Sequence, residues 1–541
     1  MKFFKQTTFK KVEEKYACQG SVLFLPLLFF IAGIRVSKLA VGTGILIAST
    51  MFSLLLRFAI HIFHFKSGMN YSFHIIRNTI MLLVLSMWCG MVYSKYRCES
   101  KLPVSNYWRN NVVLTLRADT IVIKNKQHGI FYGYGVIDDT SKTCKLGGER
   151  IFFAVECTNG TPIPFRGQKF KIQGNLKHVR ESGDWWFFKH LKSLHVPWML
   201  SNGCLLSWES RAPSWQVFFR KVFDGFLHTI TVGVENKEME HGIMSGMLTG
   251  YKQGIDRTSR ALFNDLGISH LFAVSGIHIG ILAATIDFFL RIMCVPKKFR
   301  AFPILILLTL YVNAIGCSPS SMRALTMVAF YHVSYLLGRK PAVLSALTNS
   351  ALLHILYDPF VVFNISFLLS YTIVAGIILI GIPLKNFLSR TFLDLHGLNL
   401  ESYPPVERTL FYLKKSLITS FSISFAAYFV SLPISLDHFG SISLLTVPTN
   451  MLIVPLATLA IVTGAITLFF GLWKIWPLCA ILNNISCWFV YIFHFLAHAI
   501  HCDFCCYRNI TFHCIESTSL TMLILIGAYM RLLTQTARTD G

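Results

Sequence analysis

Acidic side chains are scarce in this sequence: 26 Asp and Glu stand against 50 Lys and Arg, and charged residues make up 14% of the 541 positions while hydrophobic ones make up 53%. So little charge cannot coat the three or four soluble domains that the length would otherwise imply, which excludes an ordinary soluble enzyme. Signatures of nucleotide and metal chemistry are missing as well. The chain has no GxxxxGK[ST] loop, which excludes nucleotide hydrolysis by the P-loop route, and neither HExxH nor the His-x-His-x-Asp-His cluster of a metal-dependent hydrolase. No cofactor or metal is expected. A small-residue cleavage site is also lacking before Arg35. The apolar run at 22–34, preceded by Lys2, Lys5, Lys10, Lys11 and Lys15, therefore reads as an uncleaved anchor with the amino terminus in the cytoplasm.

What the sequence has is long apolar runs. After the first, two more read as spans near 39–63 and 79–94, and nine follow near 269–292, 302–317, 320–337, 342–357, 360–384, 413–434, 444–471, 476–500 and 519–534. The expected fold is a polytopic α-helical membrane protein of about 12 spans with an inserted external β-rich domain: 1–94 N-terminal spans, 95–212 external domain, 213–541 helical membrane domain. Charge tests the count. Alternate loops carry Lys297, Lys298, Arg300, Arg339, Lys340, Lys385, Arg390, Arg408, Lys414, Lys415, Lys474, Arg531 and Arg538, whereas the opposite short loops carry only Arg508. One missed crossing would scramble that asymmetry, so it assigns the basic loops and the carboxyl terminus to the cytoplasm.

Strand-like patterns occur at 112–118, 131–137, 151–156 and 169–173, separated by breakers such as Gly147-Gly148 and Asn159-Gly160, which predicts a small antiparallel sheet or barrel. The 95–212 segment holds 18 Lys and Arg against 9 Asp and Glu, a surplus of nine on the side where the positive-inside rule supplies none. An anionic partner outside explains it. Tyr132, Tyr134, Trp185 and Trp186 are interleaved with cations that include Lys169 and Lys171, as stacking on single-stranded nucleic acid requires; barrel core and bilayer interface are the competing uses of such rings. Cys98, Cys144, Cys157 and Cys204 permit disulfides in three pairings. Cys502, Cys505, Cys506 and Cys514 with His501 and His513 lack a second clean CxxC pair and read as disulfides or free thiols in preference to a zinc site.

Three stretches put polar groups into apolar surroundings, where each is costly unless it meets a partner or water. The first, at 247–254, contains Gly250; the second, at 262–280, contains His270, Ser275, Gly276, His278 and Gly280. Gly276 and Gly280 form a small-xxx-small face for a neighbouring helix, and Ser275 and His278 share a face as either interhelical glue or pore lining. A hydrolytic Ser-His pair is the enzyme-class alternative, but no acid is placed to orient the imidazole. The third stretch, Gly316-Cys-Ser318-Pro319-Ser-Ser-Met-Arg323-Ala324, opens a helix at proline. Arg323 then serves as a phosphate donor beside the helix amino end, or snorkels to the interface.

These stretches, with Leu337-Gly-Arg-Lys-Pro341, Asp358-Pro359, Phe367-Leu-Leu-Ser370, His438-Phe-Gly440, Asn450 and Pro455, resemble the ComEC-type competence proteins over about 210 residues. The resemblance implies an inner-membrane channel for single-stranded DNA in natural transformation, with the bilayer around it and a separate DNA receptor, nuclease and cytoplasmic motor as partners. It also implies a path or packing role for Gly250, His270, Ser275, Gly276, His278, Gly280, Ser318, Pro319, Arg323 and Ser370. Ser182-Gly-Asp-Trp-Trp186, Leu191 and Val196 resemble the family's OB-type external domain. Two departures limit the transfer: Leu368 stands where the family has glutamine, and the chain stops about ten residues after its final apolar run, so the nuclease activity of a metallo-β-lactamase-like domain is not carried over. The chief rival reading is a secondary transporter or lipid-handling protein, which an internal repeat would favour; none is visible.

The loop charges generate a first prediction. Tags or engineered cysteines should report 95–212 outside the cell and 297–300, 339–340 and 541 inside, and a cytoplasmic β-rich segment would contradict the charge assignment.

Overall fold

The computed structural model describes residues 24–36, 85–90, 92–93, 108–119, 123–125, 130–138, 148–156, 164–165, 167–179, 191, 196–211, 213–251, 254–272, 274–338, 342–393, 404–439, 442–501, 506–507, 520–529 and 531. The expected span at 39–63, Trp185, Trp186, Cys98, Cys144 and Cys157 lie outside them. Two units result: Met1–Lys101, Thr326–Met451 and Asp503–Gly541 form one, and Leu102–Leu325 with Leu452–Cys502 form the other.

The second unit opens with β1 (Trp108–Ala118), β2 (Ile123–Asn125), β3 (Ile130–Ile137), β4 (Arg150–Glu156), β5 (Lys169–His178) and β6 (Trp198–Trp208). Strict alternation along β3, β4 and β5 turns every second side chain inward. Leu114, Leu116, Phe131, Ile151, Phe153, Phe170, Ile172 and Leu200 fill one apolar interior, with Phe153 edge-on to Phe131 and Phe170. The order runs β1-β5-β6-β4-β3-β2, and β1 also pairs with β3, so the sheet closes on itself and its long strands keep no free edge. All pairings are antiparallel except β4–β6. That parallel pair and β6 itself escape the sequence patterns. Asn202-Gly203 reads as a turn, but Asn202 takes a positive φ of 51° and the register shifts beside it against both neighbours. The dipeptide is a bulge that bends one continuous strand from β5 across to β4.

Helices follow. α1 (Phe24–Val36) precedes the barrel; after it come α2 (Ser214–Thr231), α3 (Glu238–Thr249), α4 (Arg257–Asp265), α5 (Gly276–Ile292), α6 (Ala301–Ala314), α7 (Pro319–Leu336), α8 (Val343–Tyr357), α9 (Ile365–Phe392), α10 (Pro405–Phe439), α11 (Thr446–Gly471), α12 (Trp476–Ile500) and α13 (Leu520–Tyr529). Among the described residues α9 to α12 are each long and apolar enough to cross a membrane. α5 to α8 are shorter, 14 to 18 residues. In the first unit, Phe24 and Ile34 of α1, Leu344 and Ile355 of α8, Phe367 and Leu379 of α9, Val430 of α10 and Tyr529 of α13 share one core. Leu368 is likewise buried. A π-helical turn at Ile377–Gly381 interrupts α9 where glycines meet α10.

Gly376 shows why small residues are needed there: a Cβ would lie 2.7 Å from Val430 Cγ2 and 3.0 Å from Val430 Cβ, and a β-branched side chain has little room to yield. Gly376→Ala should therefore destabilise the purified protein by about 1–3 kcal/mol through overpacking. Val430→Ala in the same chain should recover part of the loss. An unchanged thermal midpoint in the single variant would remove the close-packing account.

Candidate functional site at the turns before α5 and α7

α3 ends where Gly250, at φ +74°, donates its N–H to the Gly246 carbonyl at 3.0 Å, a left-handed closure that glycine alone adopts without cost. Space beside Gly250 is set by Val274: a Cβ on Gly250 would lie 3.5 Å from Val274 Cγ2. The Ser320 hydroxyl, in the first turn of α7, donates to the Val274 carbonyl at 2.6 Å. The Tyr311 hydroxyl of α6 donates to the carbonyl of Leu248. All three polar stretches thus converge on Val274, a buried apolar residue whose importance no sequence pattern advertised. Only its lack of polarity hid it.

Ser275 and His278 form a helix cap. The Ser275 N–H donates to His278 Nδ1 at 3.2 Å, and Ser275 Oγ lies 2.9 Å from the same nitrogen. With Nδ1 accepting, the proton sits on Nε2, which is buried and has no hydrogen-bond partner among the described residues. That arrangement is the reciprocal half of a capping box, with histidine in the place of glutamate. Among the described residues no carboxylate is bonded to the ring. Gly276 and Gly280 correct the expected helix–helix contact: a Cβ on Gly276 would only reach van der Waals distance, 3.9 Å from Ala324 Cβ, and one on Gly280 would meet open space. The close small-residue approach is made instead by Gly242 and Gly246 of α3, where a Cβ on Gly242 would collide with the Gly254 carbonyl and one on Gly246 would lie 2.8 Å from Ile255 Cδ1. Their GxxxG spacing was legible in the sequence but lay in a stretch without a long apolar run. His270 is exposed, with Nδ1 3.2 Å from the Gly267 carbonyl oxygen.

Pro319 opens α7, as expected, and Ser318 caps it by accepting from the Ser321 N–H at 3.3 Å while donating to Ser321 Oγ at 2.8 Å. The preceding Gly316 and Cys317 both take positive φ, 96° and 53°, in the tight turn that follows α6. Arg323 is 1% exposed, which overturns snorkelling: a guanidinium reaching for an interface would remain open. Ser370 lies on α9 and belongs to the first unit, whereas the other path residues belong to the second.

On the barrel, Tyr132 is exposed on the outer surface of β3 and Tyr134 is half-buried, their rings 6.3 and 5.5 Å from that of Phe152. Tyr134 and Phe152 pack against Val179, Leu191 and Val196. Burial, with Tyr132 beside it, raises the Tyr134 hydroxyl above its ordinary value, so the ring is partly committed to structure. Lys169 pairs with Asp138, and Lys171 with Glu209 at 2.6 Å, which leaves less free cationic surface on β5 than the charge count suggested. Cys204 is an exposed free thiol.

Apolar helices of spanning length, a closed barrel that precedes them in the chain, and polar turns gathered around one buried residue define an integral membrane protein with a β-sheet domain in its N-terminal half. The model of the competence proteins matches residues 247–535, more than half of the chain, and the chain belongs to the competence protein family. It is similar to "ComE operon protein 3" of Bacillus subtilis (strain 168), with 28% identity over 225 residues; the match covers 42% of this chain and 26% of that relative. No solved structure matches the chain.

Burial of Arg323 yields a prediction that separates a fixed planar contact from a point charge. Arg323→Ala and Arg323→Lys should both lower abundance or DNA entry, since an ammonium keeps the charge but loses the fork and its delocalisation. Full restoration by lysine, measured as membrane abundance and uptake in one strain set, would assign the residue a simple electrostatic role.

Proposed function

We propose that the chain is the membrane path by which single-stranded DNA enters the cell during natural transformation, with the barrel on the outside receiving the strand. Membership in the competence family carries this reading. The barrel supports it. Leaving out the short β2, the five long strands close in the order first-second-third-fifth-fourth-first, with the third and fifth parallel, as in an OB-type barrel, a scaffold that binds oligonucleotides on one face. Its surplus of basic residues suits a polyanion, and affinity from phosphate neutralisation is strongly salt-dependent.

Sidedness is supported by contacts between loops to which charge assigns the same side. Ser320 bonds Val274, Ser259 Oγ lies 3.0 Å from His494 Nε2, and β7 (Ile442–Ser443) pairs with β8 (Cys506–Tyr507). β7 and β8 lie in loops read as external, Val274 and Ser320 stand at the external ends of their spans, and His494 lies in the external half of α12. In this reading about 12 spans form the bundle, the membrane is the inner membrane with both termini in the cytoplasm, and a separate receptor, nuclease and motor deliver, trim and pull the strand. Disruption of the gene should leave surface-bound labelled DNA intact and abolish nuclease-protected internal label. Normal internal label in the disrupted strain would refute a role as the entry path.

A further inference from the structure

Residues 214–249 open the helical membrane domain but contain none of the long apolar runs, so hydropathy assigns them no span. Their contacts supply what hydropathy does not. α2 has 18 residues, about 27 Å at 1.5 Å per residue, and starts six positions after β6 ends at Trp208. Its far end rests on the turn between α11 and α12: a Cβ on Gly471 would collide with the Thr229 side chain, and the His228 ring is 5.3 Å from Trp476. Asn483 Nδ2 donates to the carbonyls of Thr229 at 2.9 Å and Val232 at 3.0 Å, Asn484 Nδ2 donates to Gly233 at 3.0 Å, and Lys237 Nζ donates to Asn484 Oδ1 at 2.8 Å.

The chain then turns back. Residues 242–249 of α3 are all buried, and Leu248 fills the space at Gly464 of α11 while its carbonyl accepts from Tyr311. α4 sits at the opposite end of α12, where Ser259 meets His494 and His501 Nε2 lies 3.6 Å from Asp265. Partial burial would raise the Asp256 carboxyl that caps α4, yet hydrogen bonds from Thr258 and Ser259 hold it down at about 2, so this end of the helix is fixed by an ionised group. From Asn484 to His501 is 17 residues, roughly 25 Å of helix. Because α12 crosses the bilayer, a segment bonded to its first third and followed by one bonded to its last turn has descended through the membrane and come back.

We infer that α2 and α3 form a re-entrant hairpin, entering from the barrel side, with its tip at 232–237 near the cytoplasmic face and its charged stripe lining an aqueous path. This deepens the entry-path reading, on which the sidedness of the tip rests. The stripe is Arg220, Asp224 and His228, spaced four apart and exposed, with exposed Lys221 beside it. Arg220 Nε is 3.3 Å from Asp224 Oδ1. Arg220 lies nine residues before Thr229, about 13 Å above the tip, which is mid-membrane depth. A charged side chain facing lipid at that depth is strongly disfavoured, whereas one facing water in a protein-lined path is not. Trp215 and Phe218 occupy the neighbouring exposed sector, the side suited to lipid.

Substituted-cysteine labelling of the full chain in intact cells and in inverted membrane vesicles tests this, each variant being compared with the parent that carries the 14 native cysteines. The tip is read with Glu235→Cys and, independently, Lys237→Cys. Each should gain one label per chain from a charged, impermeant maleimide in inverted vesicles and none in intact cells. Asp224→Cys should gain a label from a small charged methanethiosulfonate, and Phe218→Cys only from a lipophilic maleimide. Tip labelling only in intact cells would overturn the re-entrant assignment. An Asp224→Cys thiol that ignores the charged reagent in folded, normally abundant protein would overturn the aqueous stripe. Labelling does not require transport, so a tip reached from inside in a chain dispensable for DNA uptake would retain the hairpin while removing the entry-path function.

Discussion

Asn483 illustrates the constraint on which the helical part of the protein depends: away from water, a backbone carbonyl must find its donor inside the chain. The last carbonyls of α2 cannot be satisfied within that helix, and the carboxamide of Asn483 supplies two donors, to Thr229 and Val232. Asn484 repeats the device one residue later at Gly233. A single pair of asparagines on α12 therefore supplies donors to the backbone where α2 ends against that helix. Without such donors, each buried carbonyl would cost about 1–3 kcal/mol.

Elsewhere the same requirement is met by serine and threonine hydroxyls that bond to nearby backbone or to one another. Ser320 fastens the start of α7 to Val274, Ser318 caps its own helix, and Ser486 of α12 donates to the Ala460 carbonyl of α11 at 2.9 Å. In the first unit Thr326, Ser350 and Tyr371 form a hydroxyl chain at 2.6 and 2.8 Å across α7, α8 and α9. These bonds set helix register where dispersion between apolar surfaces does not discriminate one rotation from another. They also explain why the polar stretches of the competence motifs sit at helix ends: the ends are where backbone groups lack partners.

The barrel obeys a different rule. In water its strands need no internal donor for every outer group, but open edges invite pairing with other chains, and closure through β1–β3 removes them. Closure needs bends, supplied at Asn202-Gly203 and at Asn111, whose φ is 55° and whose N–H is held by Asn175 Oδ1 at 3.2 Å. The outer face is left for Tyr132 and for cations, some already matched by Asp138 and Glu209. A face of this kind suits weak, sequence-indifferent contact better than a deep specific pocket.

Composition and periodicity by themselves determined the membrane character, the inserted β-rich domain, the proline start of α7 and the residues of three polar stretches, because apolar runs and strand alternation are local properties of consecutive residues. Bulges, closure and the parallel β4–β6 pair were not readable, since Asn-Gly serves a turn and a bulge equally and pairing partners lie far apart in sequence. The roles of Ser275 and His278 as a cap, the burial of Arg323 and the hub at Val274 were decided only by the fold. So was the packing of α2: Asn483 and Asn484, about 250 positions away in sequence, donate to the backbone at its end. The physical reason is common to all these cases: a polar group reports that it needs a partner, but which partner meets it is settled by residues hundreds of positions away.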